Sequence, residues 1–185
     1  MSGLLFAFLA TLLAGIGARD QLTVAGIAAR QGQRPGLIMT AMATSIAAAA
    51  AAAYGGALLA PLMGGDARLI FAALALAFAG AEMLVFSALR MPDEPTQSLG
   101  ATAIVLSAHQ VTDASRFLIL AIAAATHAPI SAGLGGALGG TTIVLAGWLA
   151  ADKLPRRQLA MIRRLVGAGL LILAAVVAMK AMGRI

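Results

Sequence analysis

The chain contains no cysteine, one tryptophan, one tyrosine and only seven acidic residues among 185. Without thiols there is no disulfide framework, no thiolate metal site and no cysteine nucleophile. Two histidines in separate segments do not by themselves make a zinc or copper site, and no cofactor is implied. Charged residues are only 11% of the chain, hydrophobic residues are 61%, and mean hydropathy is +0.96, which excludes a water-soluble domain. An HExxH pair and a nucleophile with a base at recognisable spacing are also missing, so the sequence does not read as an enzyme. The opening residues lack a basic stretch and run straight into further apolar sequence, which reads as a membrane helix and not a cleaved signal.

What is present is an all-α integral membrane protein. With about 20 apolar residues needed to cross a bilayer, six spans are expected, at 3–29, 36–62, 68–90, 99–125, 129–151 and 159–182. Polar or proline-bearing breaks separate them: Arg30 to Pro35, Gly64-Gly65-Asp66, Met91 to Ser98, His127 to Pro129, and Asp152 to Arg157. The sequence pI near 11.4 would suggest nucleic acid in a soluble protein. Here the basic residues lie mostly in short loops, where cytoplasmic retention of Lys and Arg explains them without nucleic acid. Alternate loops carry eight on one side (Arg30, Arg34, Arg90, Lys153, Arg156, Arg157, Arg163, Arg164) and three on the other (Arg68, Lys180, Arg184). The chain is therefore expected in the cell inner membrane with both termini outside the cytoplasm, and an odd number of helices per half makes the halves antiparallel.

Two of the long apolar stretches carry charges at their middles, Arg19 and Asp20 in one, Asp113 and Arg116 in the other. Each such charge costs about 2.5 kcal/mol or more at bilayer depth, so these residues are expected to face a protein interior and mark an ion or substrate path. Laid on one another at an offset of 95, Ala18-Arg19-Asp20-Gln21 falls on Asp113-Ala114-Ser115-Arg116. Each half also has a second segment rich in small residues, Ser45 to Gly56 and Ser131 to Thr142, suited to close helix packing in lipid. The organisation expected is two inverted three-helix repeats, 1–91 and 99–185, joined by a short cytoplasmic linker at 92–98.

Gly15-Ile16-Gly17-Ala18-Arg19-Asp20-Gln21 and Gln110-Val111-Thr112-Asp113-Ala114-Ser115-Arg116 occupy the places of a twice-repeated ExGDKT(Q) signature. In this and in its layout the chain resembles the GDT-type six-helix family, also called uncharacterised protein family 0016. That resemblance implies an exporter of manganese or calcium in exchange for protons. The first signature keeps Gly17 and Gln21, with Arg19 for its lysine, Gly15 for its glutamate and Ala18 for its aspartate. The second keeps Asp113 and a hydroxyl at Ser115, with Gln110 for its glutamate and Ala114 for its lysine. Asp113, the family carboxylate still in register, is the candidate metal ligand, although a hard divalent cation wants several oxygens.

Other acids stand nearby: Asp20 lies two residues beyond the missing aspartate, and Glu82 lies within the third segment. The midplane inventory is Asp20, Glu82 and Asp113 against Arg19 and Arg116, a formal balance of minus one, which suits one proton or one monovalent cation. His109 is the candidate proton relay. The expected substrate-binding set is Asp113, Asp20, Glu82, Gln110, Gln21, Arg19, Arg116 and Ser115, serving a secondary cation/proton exchanger. The alternative is a non-transporting membrane subunit whose function a partner supplies, with Arg19 and Arg116 pairing with Asp113 and Asp20 across the repeat interface; in either case the partners expected are the lipid bilayer and, as an open expectation, further copies of the chain in a homo-oligomer.

Overall fold

The computed structural model describes residues 2–85, 97–153 and 156–184. Among them are eight α-helices and no strand: α1 (Ser2–Gly15), α2 (Arg19–Gln31), α3 (Pro35–Leu59), α4 (Gly65–Val85), α5 (Leu99–Val111), α6 (Ala114–Thr126), α7 (Pro129–Ala150) and α8 (Arg156–Ala181). Pro35 and Pro129 open α3 and α7, where a missing N–H costs nothing and the fixed φ suits a first turn. The linker proposed at 92–98 lies outside the described residues except for Gln97 and Ser98, as do the last five residues of the third expected span, 86–90.

Two expected spans are not continuous helices. The segment 3–29 breaks after Gly15 and resumes at Arg19 with a bend of 57°. Gly17 sits in the break with φ +68°, a conformation that favours glycine. The segment 99–125 breaks at Thr112 and Asp113. There Thr112 Oγ1 donates back to the carbonyls of Ala108 and His109, while Asp113 leaves the helical region and caps α6 through the Ser115 N–H. The cause is local in both cases: apolarity sets a span's length, but glycine and capping side chains decide whether its backbone stays helical. Four helices are long and apolar enough to cross a membrane, or five with α1 and α2 as one bent span, while α5 and α6 are shorter apolar helices.

Each half thus runs through a broken pair and then two long helices. Ala18 and Asp113, matched by the sequence offset, are both extended N-cap residues at the start of the second half-helix. Contacts between α3 and α7 run in opposite order, Ser45 against Gly140 and Ala53 against Gly133, so these helices are antiparallel. Where α4 meets α8, Gly80 and Gly167 lie so close that a Cβ on either would come within 3 Å of the other's carbonyl oxygen. The glycines of α7 seat neighbours on every side: Gly135 and Gly139 take α1, Gly136 takes Ile119, and Gly147 takes Gln21. This is close packing of small residues, with Ala41, Ala49, Ala79, Ala123 and Ala132 wholly or almost wholly buried. Large apolar side chains such as Met39, Phe78, Ile130 and Leu165 point outward instead. That distribution is costly in water and natural in hydrocarbon, and it marks the chain as membrane-embedded.

Candidate functional site

The helix breaks create the site. Each exposes helix-end groups that have no partner within the helix and need one elsewhere, because the surroundings are apolar. At the start of α2, Gln21 Oε1 accepts from the Gly17 N–H at 2.8 Å, and Asp20 Oδ1 accepts from the Gln21 N–H at 2.8 Å. At the start of α6, Asp113 Oδ1 accepts from the Ser115 N–H at 2.8 Å. The Ala114 N–H donates to Glu82 Oε2 at 3.0 Å, so a second carboxylate, from α4, also sits on this helix end. Negative charge there complements the positive end of the helix dipole.

The C-terminal end of α1 receives a cation. Arg163 Nη1 lies 3.4 Å from the carbonyl oxygens of Ala14 and Ile16 and donates to both, while Nη2 pairs with Glu82 Oε1 at 3.3 Å. Glu82 and Arg163 therefore form a bridge from the break after α1 to the start of α6. Their side chains are 15% and 7% exposed, so the bridge is largely out of solvent.

Across the site, the Gln110 side chain on α5 donates to Asp20 Oδ2 at 3.5 Å. Asp113 and Arg116 both act electrostatically on Asp20. The Arg116 guanidinium donates to the hydroxyls of Ser115 at 3.3 Å and Ser45 at 3.1 Å. Gly140 of α7 makes room for it: a Cβ there would strike Ser45 Oγ and come within 3.2 and 3.3 Å of Arg116 Nη1 and Nη2. Two atoms in this buried layer have no hydrogen-bond partner, Gln110 Oε1 and Arg116 Nε.

Asp20, Gln21, Gln110, Asp113, Ser115 and Arg116 are all buried and lie around the two breaks. Glu82 joins them from α4, and Arg19 lies near enough to act electrostatically on Glu82 and His109. His109 is at the edge, partly exposed, with Nδ1 3.4 Å from Thr23 Oγ1. Among the described residues no group of three or more His, Asp or Glu side chains converges as a metal site would require.

Two members escaped the sequence reading. Arg163 was tallied with the loop arginines although it fell at the start of the expected span 159–182; α8 starts at Arg156, which puts Arg163 two turns inside and 6% exposed. Its phase was the available signal, since Arg163, Gly167, Leu170 and Ala174 form one buried stripe while Arg164 is exposed. Ser45 likewise lies in phase with buried Ala41, Ala49 and Ala53. Adding Arg163 changes the formal count from three acids against two arginines to three against three, which is neutral. The chain matches no protein-family model, no curated protein and no solved structure.

Proposed function

We propose that this chain is a small secondary transporter of the cell inner membrane, a cation/proton exchanger that resembles the GDT-type family but has an altered site. The observation that carries the reading is the pair of helix breaks, one in each half, with buried charged residues from both halves gathered between them. Broken helices at bilayer depth are tolerated where irregular backbone lines a site, and their ends serve as ion-coordinating groups in transporters. The matched order of elements, the shared N-cap positions of Ala18 and Asp113 and the antiparallel α3 and α7 support two inverted units with six spans, counting each broken pair as one. Of the basic residues counted near the ends of the spans, seven against three remain once the buried Arg163 is set aside, which still favours both termini on the non-cytoplasmic side.

Asp20 and Asp113 are the proposed carriers of the transported proton or cation. The neutral site favours a monovalent ion over manganese or calcium, because a divalent ion would need carboxylates that α6 and Arg163 already hold. Reconstituted protein should exchange protons against at least one ion of a panel of sodium, potassium, manganese and calcium salts, read with an internal pH dye. Asp20→Asn and Asp113→Asn should each abolish that exchange.

The alternative, a membrane subunit without transport, draws support from one observation. Asp20, Asp113 and Glu82 each accept from a backbone N–H at a helix start, so all three have structural duties. Absence of proton-coupled flux for every cation in the panel would leave this reading standing and remove the first.

A further inference from the structure

Two connecting segments from different halves of the chain meet at one end of the bundle. Gln33, between α2 and α3, donates through Nε2 to the carbonyl oxygens of Trp148 and Leu149 at 3.0 and 3.1 Å. Ile27 and Ala28 of α2 and Leu37 of α3 form a small buried core against which Trp148 and Ala151 pack. The short helical turn Ala151–Lys153, which follows α7, packs on α2 as well. The α2–α3 connection is therefore seated on the end of α7.

Both segments are basic. In residues 30–34 and 152–157, Arg30, Arg34, Lys153, Arg156 and Arg157 stand against a single acid, Asp152. Arg30, Arg34, Lys153 and Arg157 are exposed. Retention of basic loops on one side of a membrane accounts for the charge of each segment taken singly. It does not require that the two share a surface, and like charges brought together repel unless anions lie among them. Apolar surface adjoins the patch: Met39, one turn into α3, is 70% exposed, and Leu149, in the last turn of α7, is 57% exposed. Cations beside outward-facing apolar side chains are complementary to an amphiphile with a phosphate head. A soluble anion would use the cations alone. Arginine engages phosphate through its planar fork and lysine as a point charge, and basic clusters at the end of a membrane span attract anionic headgroups.

We propose that this end of the bundle binds an anionic phospholipid of the phosphatidylglycerol type, its phosphate met by Arg34, Lys153 and Arg157 and its acyl chains lying along Met39 and Leu149. Such a lipid clamps the α2–α3 connection of the first half to the end of α7 in the second. The proposal goes beyond the transport reading and stands without it, since it needs only that the chain is membrane-embedded.

The test is lipid retention. Purified protein in an uncharged detergent is incubated with an equimolar mixture of phosphatidylglycerol and phosphatidylcholine and recovered, and the lipid that stays bound is counted by mass spectrometry. Each basic side chain beside an anionic headgroup contributes about fivefold in affinity, so three give a preference of up to about a hundredfold. Enrichment of phosphatidylglycerol by about tenfold or more is expected from wild-type protein. Arg34→Gln, Lys153→Gln and Arg157→Gln together should bring the ratio close to one, whereas Arg34→Lys with Arg157→Lys, which keeps the charge, should retain most of the preference. Arg68→Gln, Lys180→Gln and Arg184→Gln remove the same charge at the start of α4 and the far end of α8, and should leave the preference intact. Millimolar glycerol phosphate should displace none of the bound lipid. Equal retention of the two lipids by wild-type protein would overturn the proposal. So would a preference that survives the first triple variant, that falls as much in the second, or that glycerol phosphate abolishes.

Discussion

Glu82→Gln tests whether the bridge between the two helix breaks holds the bundle together. The substitution keeps the side chain's shape and an oxygen for the Ala114 N–H, but removes the charge facing Arg163 at 3.3 Å. Arg163 is 6% exposed, so it would be left as a buried cation whose remaining partners are the carbonyls of Ala14 and Ile16, each at 3.4 Å. Removing one member of a buried pair typically costs about 3 to 5 kcal/mol. The two retained carbonyl acceptors put this case at the lower end, at about 3 kcal/mol. For a chain of 185 residues that corresponds to a fall in Tm of about 6 to 12 °C. Arg163→Gln should cost a similar amount, since it leaves Glu82 charged and the α1 carbonyls unmet. The double variant removes both charges together and should melt above either single variant, which is the signature of direct coupling. Circular dichroism in detergent is the suitable assay, because a chain without cysteine gives no signal with thiol-reactive dyes. Simple additivity of the two losses, or a Glu82→Gln variant that melts like the wild type, would refute the bridge.

Asp113→Asn should change Tm little, because asparagine is as good an N-cap as aspartate, whereas Asp113→Ala should cost about 1 kcal/mol through loss of the Ser115 N–H acceptor. Proton-coupled flux measured on the same Asn variant should nevertheless vanish if Asp113 carries the transported ion. Gly140→Ala should cost about 1 to 3 kcal/mol in thermal unfolding, since its methyl lands on Ser45 Oγ and crowds the Arg116 guanidinium. Adding Ser45→Ala should recover part of that loss by removing the atom struck. A cysteine placed singly at Ser2 or Gly183 would be the chain's sole thiol and should react with a membrane-impermeant maleimide in intact spheroplasts, as external termini require.

The sequence made most of the site legible because burying charge in lipid is too costly to do without a reason. Arg19, Asp20, Asp113 and Arg116 stood out within apolar runs, and the structure places three of them buried around the breaks, with Arg19 in electrostatic range of the same cluster. The breaks themselves were not legible. Hydropathy reports how far a segment stays apolar, and both 3–29 and 99–125 stay apolar through a change of direction. The clues were conformational: Gly15 and Gly17 closely spaced in one, and Thr112 and Asp113, a back-bonding and a capping residue, in the other. Arg163 was miscounted for the opposite reason, because an arginine near the start of the expected span 159–182 reads as a loop-side charge until the phase of Gly167 and Leu170 is considered.

That misplacement changes the chemistry available to the site. Three acids against two arginines would leave one negative charge for a proton or cation to neutralise, whereas three against three leave none. Binding a cation to Asp20 or Asp113 then creates net positive charge in a low-dielectric layer unless something else moves, either a proton leaving or an anion arriving. An exchanger keeps the total constant, since its carboxylate holds a proton or a monovalent cation in turn and the cluster carries the same single positive charge in either loaded state. A static scaffold needs neither, and its neutral cluster is already at rest. Proton flux that depends strictly on a counter-moving cation is therefore the behaviour expected of an exchanger built on this cluster, and uncoupled cation leak through wild-type protein would count against that reading.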